Sequence, residues 1–281
     1  MTVESIHASL TKARAFLFDL DGTLVLGNKQ NKELECLPGA VELLELLAAR
    51  DIPYGVLTNG TVRPPAEYCV KLAELGLSVP ERRMMTPATV AADYFTGRRI
   101  RTVLALGVEG VWKPLSDAGL EVIVPPEGGD PGTADAVFVG WYREIHMDAI
   151  EAACQAVWNG AGLYAASMVP FFATKTGRAL GSSRAVSAMI TSVTGKRATA
   201  LGKPSLHALK SAAARLGCQP DELVVVGDQP ELEVRMALMG GAVAVHIRTG
   251  DTDAAQETAY PPGDQPQLSI AGVAGLLELL E

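Results

Sequence analysis

Phe16-Leu17-Phe18-Asp19-Leu20-Asp21-Gly22-Thr23 decides the fold. With Ala15 it forms a short continuous apolar run, Ala15–Phe18, that reads as a buried strand. The strand runs straight into two carboxylates at i and i+2, followed by a glycine. Two acids at the end of an apolar strand are costly to bury unless something cationic sits beside or between them. A hard divalent cation with oxygen ligands resolves the conflict, and Mg2+ suits carboxylates that face a phosphate. The plain alternative is an acidic turn, since Asp-Gly is a common turn pair.

Two further stretches have the same construction, and a third opens a helix. Leu57-Thr58-Asn59-Gly60 closes another apolar run with hydroxyl and amide groups able to hold phosphate oxygens. Val224-Val225-Val226-Gly227-Asp228 delivers a carboxylate to a strand end, with Glu233 five residues on. Gly202-Lys203-Pro204 opens a helix, and Pro204 suits the first turn. A lysine there opposes the helix dipole unless it faces an anion. Each has a bland reading: an ordinary turn, a dipole-favouring acid, or a lysine bent into solvent. Their convergence favours a site.

The chain around them alternates short β-branched runs with amphipathic stretches, the pattern of an α/β protein with a parallel sheet. Expected strands are Ala15–Phe18, Tyr54–Leu57, Thr102–Leu106, Val122–Val124, Ala136–Val139, Leu163–Ala166, Leu223–Val226 and Val243–Ile247. Expected helices are Pro38–Arg50, Pro65–Leu75, Thr89–Phe95, Met147–Trp158, Ser183–Thr194, Pro204–Leu216, Pro230–Met239 and Gly272–Leu280. Asp251–Gln267 reads as a surface loop, and Pro125–Gly132 and Thr194–Thr199 as turn-rich breaks. In an open parallel sheet ligands bind beyond the carboxyl ends of the strands. Asp19, Asp21, Thr58 and Asp228 all fall there, with Lys203 on the same side, which describes a metal-assisted phosphoryl site.

Composition sets the outer limits. The 281 residues are 48% hydrophobic and 20% charged, with a net charge of −8, which suits one large or two modest globular domains. The acidic balance argues against nucleic-acid and polybasic membrane partners. No apolar run reaches the ~20 residues of a membrane span, and Met1–Lys12 lacks a signal-peptide pattern. Cys36, Cys69, Cys154 and Cys218 lie far apart without a CxxC, so neither a zinc ribbon nor a disulfide scaffold is indicated. A soluble cytoplasmic protein is expected.

Asp19-Leu20-Asp21-Gly22-Thr23, Thr58-Asn59, Lys203 and Gly227-Asp228 resemble the four ordered motifs of the haloacid-dehalogenase-like phosphohydrolases. The long segment between the second and third motifs resembles the NagD-like and p-nitrophenyl-phosphatase-like branch with its large α/β cap. Met85-Thr86-Pro87-Ala88, Leu106-Gly107-Val108-Glu109-Gly110, Val139-Gly140-Trp141-Tyr142-Arg143 and Gly202-Lys203-Pro204-Ser205 support that likeness. The resemblance implies a doubly wound, Rossmann-like α/β core over 1–88 and 196–281, and an inserted α/β cap over 89–195. It implies that Asp19 is the nucleophile, forming an aspartyl-phosphate, and Asp21 the general acid and then base. Thr58, Asn59 and Lys203 would hold the phosphate. Mg2+ would be bound by the Asp19 carboxylate, the Asp21 backbone carbonyl and Asp228. The implied ligand is a small phosphorylated metabolite; cap-mediated homodimers are known in such proteins.

The sequence also departs from the family. Glu233 stands where an Asp usually helps to fix the metal's waters. Ala165-Ala166-Ser167-Met168-Val169-Pro170 replaces a different cap stretch, and Gly27–Leu37 is longer and more polar than usual. In the cap, Trp141, Tyr142, Arg143, Ser167 and Met168 are candidates for contacting substrate; the competing reading has Trp141, Met168 and Phe171 packing the cap's own core. The departures motivate a second functional reading, a phosphometabolite-binding or regulatory protein with little turnover. Against it stand Asp19, Asp21, Lys203 and Asp228, all intact.

Overall fold

A computed structural model describes residues 10, 13–27, 34–125, 131–174, 177–248 and 260–281. The chain divides into two compact units: residues 1–58, 68–85 and 203–281 form one, and 59–67 and 86–202 the other. The sequence placed the corresponding boundaries at 88/89 and 195/196. The second unit also takes 59–67, because the Thr61 hydroxyl accepts from the Trp141 amide at 2.8 Å and Gly110 lies close against Arg63. It keeps Thr199–Ala200, which pairs with Gly162–Ala165.

The first unit is built on a six-stranded sheet in the order Leu268–Ile270, Val243–Ile247, Leu223–Gly227, Ala15–Phe18, Tyr54–Leu57, Met84–Met85. Every neighbouring pair is parallel. Ala15–Phe18 is central and buried on both faces, as its unbroken apolar run requires. The chain proceeds from it to Tyr54–Leu57 on one side and later returns to Leu223–Gly227 on the other. This is the topological switch point at which α/β sheets form their crevice. Helices Ala40–Ala49, Leu206–Leu216 and Val273–Leu280 cover the sheet with leucine-rich faces, and Phe16, Phe18, Leu43, Leu47, Val224 and Leu276 belong to its core.

The second unit has a five-stranded parallel sheet, ordered Thr199–Ala200, Gly162–Ala165, Ala136–Val139, Thr102–Leu106, Glu121–Ile123. Helices Met147–Trp158 and Ser182–Thr194 pack on it around Leu104, Val137, Val139, Ile150 and Ile190. Phe171–Thr174 and Gly177–Leu180 pair antiparallel.

Every expected strand forms, with ends displaced by no more than one residue. The differences are local. The helix expected from Pro204 starts at Leu206, because the Ser205 hydroxyl caps it by accepting from the Ala208 amide; the Lys203–Pro204 peptide is cis. The helix expected over Pro230–Met239 opens as a wider π turn, Pro230–Val234, before the α-helix Arg235–Gly240. Helix Glu109–Asp117 was not anticipated: Pro114 interrupts its pattern. Short pairings such as Val25–Gly27 with Leu34–Cys36 carry too few residues to show a period. Much of the expected loop over 251–267 and of the break over 125–132 lies outside the described residues. Among the described residues no helix is long and apolar enough to cross a membrane.

Candidate active site

At the carboxyl end of the central strand the ladder continues one residue further, the Asp19 amide donating to the Val226 carbonyl at 2.8 Å. Asp19 is thereby fixed beside Leu223–Gly227, with its side chain buried. The chain then turns tightly: the amides of Leu24 and Val25 both reach the Leu20 carbonyl, and that of Gly22 reaches the Val25 carbonyl. Gly22 is needed twice over. Its φ is +87°, and a Cβ there would sit 2.7 Å from Cγ of Asp228. The close approach of the turn to Asp228 places two acid-bearing strand ends side by side.

Lys203 joins them. Its ammonium is buried, ion-paired with Asp19 Oδ1 and, at 2.6 Å, with Glu233 Oε1. Burial alone would push the lysine's pKa down, but the two carboxylates hold it above the usual lysine value. Glu233 is also buried, and its other oxygen accepts from the Gln229 amide at 3.0 Å. Its longer side chain fits because Gly227 has none: a Cβ on Gly227 would lie 2.6 Å from Cβ and 2.7 Å from Cδ of Glu233. The acid expected to steady metal waters therefore has each oxygen on a protein group, one of them the lysine. On the other side of the central strand, the Thr58 hydroxyl donates to Asp21 Oδ2 at 3.3 Å, while its amide donates to Met85.

The four ionisable groups here, Lys203, Asp19, Glu233 and Asp228, do not balance. Burial, then the charges of Asp19 and Glu233, push the Asp228 carboxyl from an ordinary 3.8 up to about 9. Burial likewise pushes Glu233 from 4.5 to about 7. Asp228 Oδ1 is inaccessible and accepts no hydrogen bond from the described residues. One lysine is thus set against three acids, and an acid oxygen is left without a donor. That combination fits a hard cation between Asp19 and Asp228. No three His, Cys, Asp or Glu side chains among the described residues form a ready cage; the expected third ligand is a backbone carbonyl, that of Asp21.

Comparison with known proteins identifies the family. A family model described as haloacid dehalogenase-like hydrolase matches residues 16–121, and a second, HAD-hydrolase-like, matches 200–275. Between them they span the segments that carry Asp19, Asp21, Thr58, Lys203 and Asp228. The chain belongs to the haloacid-dehalogenase-like hydrolases. Within this family it is similar to dihydroxyacetone phosphatase of Corynebacterium glutamicum (strain R), with 27% identity over 88% of this chain and 85% of that protein. Among solved structures it resembles the thermostable NPPase of Geobacillus stearothermophilus, a double mutant, with 27% identity, a TM-score of 0.79 and coverage of 94% and 97%. It also resembles the glycerol phosphate phosphatase of Mycobacterium tuberculosis solved with magnesium: 25% identity, TM-score 0.81, coverage 95% and 77%.

The remaining candidates of this family member lie in the second unit. Asn59 opens the segment 59–67 grouped there. Trp141 and Tyr142 follow the strand Ala136–Val139 and are half-buried, Tyr142 packing against that unit's core. The Tyr142 amide donates to Ser182 Oγ at 3.3 Å. Arg143 is exposed, its guanidinium 5.7 Å from the Trp141 ring centre. Ser167 accepts from the Val169 amide through its hydroxyl and from Ser183 Oγ through its carbonyl, and Arg184 donates to the Met168 carbonyl. Met168 and Phe171 are exposed, so neither is part of the buried core. His246, which the sequence reading passed over, is buried and reaches the Asp228 carbonyl. The signal for it was a histidine inside Val243–Ile247, an otherwise apolar strand.

Proposed function

We propose that this haloacid-dehalogenase-like phosphatase hydrolyses a small-molecule phosphomonoester through an aspartyl-phosphate on Asp19, with Mg2+ as its cofactor. The observation that carries the reading is the buried Lys203 ammonium pairing Asp19 with Glu233 at the switch point of the sheet. A lysine so placed holds one Asp19 oxygen and leaves the carboxylate as a positioned nucleophile. Asp19 attacks phosphorus; Asp21, oriented by the Thr58 hydroxyl, gives its proton to the departing alcohol oxygen. Asp21 then removes a proton from water as that water attacks phosphorus, and Asp19 is released. Thr58, Asn59 and Lys203 hold phosphoryl oxygens. Mg2+, held by the carboxylates of Asp19 and Asp228 and the Asp21 carbonyl, would offset the repulsion between nucleophile and phosphate.

In this reading Trp141, Tyr142, Arg143, Ser167 and Met168 contact the leaving group, and segment 86–202 serves as the cap. Substrates of the kind named for the relatives, a triose or glycerol phosphate, suit this contact set, in which Arg143 is the one charged residue. The longer acid at position 233 still meets Lys203, which weakens one motive for the low-turnover binding reading. The test is release of inorganic phosphate from a panel of phosphomonoesters with and without Mg2+, for the native protein and Asp19→Asn. Metal-dependent turnover abolished in Asp19→Asn is expected. A folded, Mg2+-binding protein that turns over none of the panel would favour the binding reading instead.

A further inference from the structure

His246 stands in a strand whose other members are valine, alanine and isoleucine, and it is fully buried. A polar ring there is satisfied only if both nitrogens find partners. The register of the parallel sheet supplies them: His246 lies opposite Ser269 in one neighbouring strand and opposite Gly227, the residue before Asp228, in the other. Arg248 is two residues on, on the same face of the strand. Nε2 lies 3.2 Å from the backbone carbonyl oxygen of Asp228, and Nδ1 lies 3.2 Å from Ser269 Oγ. Arg248 donates to the same Ser269 Oγ at 3.2 Å.

In the neutral imidazole these partners set the direction of the hydrogen bonds named here. A carbonyl oxygen only accepts, so Nε2 carries the hydrogen and donates to Asp228. A guanidinium only donates, so Ser269 accepts from Arg248 and turns its own hydrogen to Nδ1. The chain Arg248, Ser269, His246, Asp228 therefore runs one way, from the far strands of the sheet to the strand end that bears the acid.

We propose that His246 is a positioning residue for a divalent cation, acting through the Asp228 peptide. By holding that carbonyl it restrains the backbone from which the Asp228 carboxylate projects, at the point where Leu223–Gly227 ends and the π turn begins. Apolar packing alone would be served by leucine at this position; the imidazole adds a donor aimed at one carbonyl. Partners behind a ligand typically change metal affinity by about 10–100-fold when removed. The inference rests on the Mg2+ reading above.

Two readouts test it: the Mg2+ concentration giving half-maximal phosphate release, and the Mg2+ concentration needed for one fixed rise in melting temperature without substrate. In His246→Leu both are expected to increase about tenfold, with kcat at saturating Mg2+ nearly unchanged. His246→Gln, whose amide nitrogen can donate to the same carbonyl, is expected to restore both. Native-like Mg2+ dependence in folded His246→Leu overturns the proposal, as does His246→Gln impaired to the same degree. If His246→Leu does not fold, Ser269→Ala decides: a several-fold weaker Mg2+ response supports the relay and an unchanged one overturns it. A native protein whose melting temperature ignores Mg2+ would defeat the metal reading itself, a result distinct from these.

Discussion

The carboxyl ends of the two parallel sheets share an architecture and differ in chemistry. In the first unit the strand ends carry Asp19, Asp228 and, nearby, Lys203 and Glu233, with charges buried and close together. In the second the corresponding positions are held by neutral hydrogen bonds: Thr61 to the Trp141 amide, Ser182 to the Tyr142 amide, Ser183 to the Ser167 carbonyl. Its one nearby cation from the candidate set, Arg143, is exposed. The difference shows that the fold supplies a place and the residues supply the reaction. It also makes the two ends fail differently. Buried ions depend on one another, so losing one strands the rest; neutral contacts fail singly.

Lys203→Ala should break the first end most severely. It leaves Asp19 and Glu233 buried without their shared cation, and breaking such a pairing by removing one partner costs about 3–5 kcal/mol. Denaturant unfolding should show that loss, together with turnover reduced by at least two orders of magnitude. Ser183→Ala, the matching deletion in the second unit, should cost about 1 kcal/mol. Equal losses in the two would mean that the charged end is not coupled as its geometry indicates.

Gly227→Ala probes the same coupling through packing. The added methyl meets the Glu233 side chain, which must swing away from Lys203 or displace the turn. A destabilisation of about 1–3 kcal/mol is expected, with kcat falling more than KM rises. Glu233→Asp keeps the Cβ and Cγ that the added methyl meets, so combining the two should return little of the stability. A double variant restored to native stability would show that the conflict lies with the outer end of the Glu233 side chain.

How much of this was readable beforehand follows the same division. Ala15–Phe18 and Leu223–Gly227 are unbroken apolar runs ending in acids, and both their strand character and the gathering of buried charge at their ends were legible because burial and charge conflict visibly there. Lys203 was legible as a lysine on the wrong end of a helix, although Ser205 moves that helix start two residues away. The pairing of Glu233 with Lys203 was not, because it depends on a side chain passing over Gly227, a contact that no linear pattern encodes. The second unit was readable as strands and helices only. Its hydrogen bonds join serines and backbone amides far apart in sequence, and Pro114 concealed one of its helices.

Asp228→Asn should separate stability from metal binding. The unfolded chain loses this proton near pH 4, whereas the metal-free folded state keeps it until about pH 9. Between those values the folded state binds more protons than the unfolded one, so metal-free stability falls as pH rises. Asparagine removes that contribution. Thermal melts in the presence of a chelator should find the variant more stable than the native protein above neutrality, by a margin that widens toward pH 9 and closes in acid. Mg2+ should raise the melting temperature of the native protein and leave that of the variant nearly unmoved. A native protein whose metal-free stability does not decline with pH would show that Asp228 is already ionised in the fold.

The smallest expected effect on stability belongs to Arg143→Ala in the second unit, and it gives the comparison its other limit. Arg143 is exposed, and its approach to the Trp141 ring, at 5.7 Å, is a cation–π contact in water, typically contributing no more than about 1 kcal/mol. The fold should register that loss as a shift of at most a few degrees in melting temperature. If the guanidinium meets an anionic or strongly polar leaving group, KM should rise several-fold for those members of the panel and stay level for p-nitrophenyl phosphate, with kcat preserved. That pattern is what removal of binding made equally in ground and transition states produces. A uniform change across the panel would assign Arg143 to the architecture of its loop, and no change at all would leave Trp141, Tyr142, Ser167 and Met168 as the candidates for reading substrate.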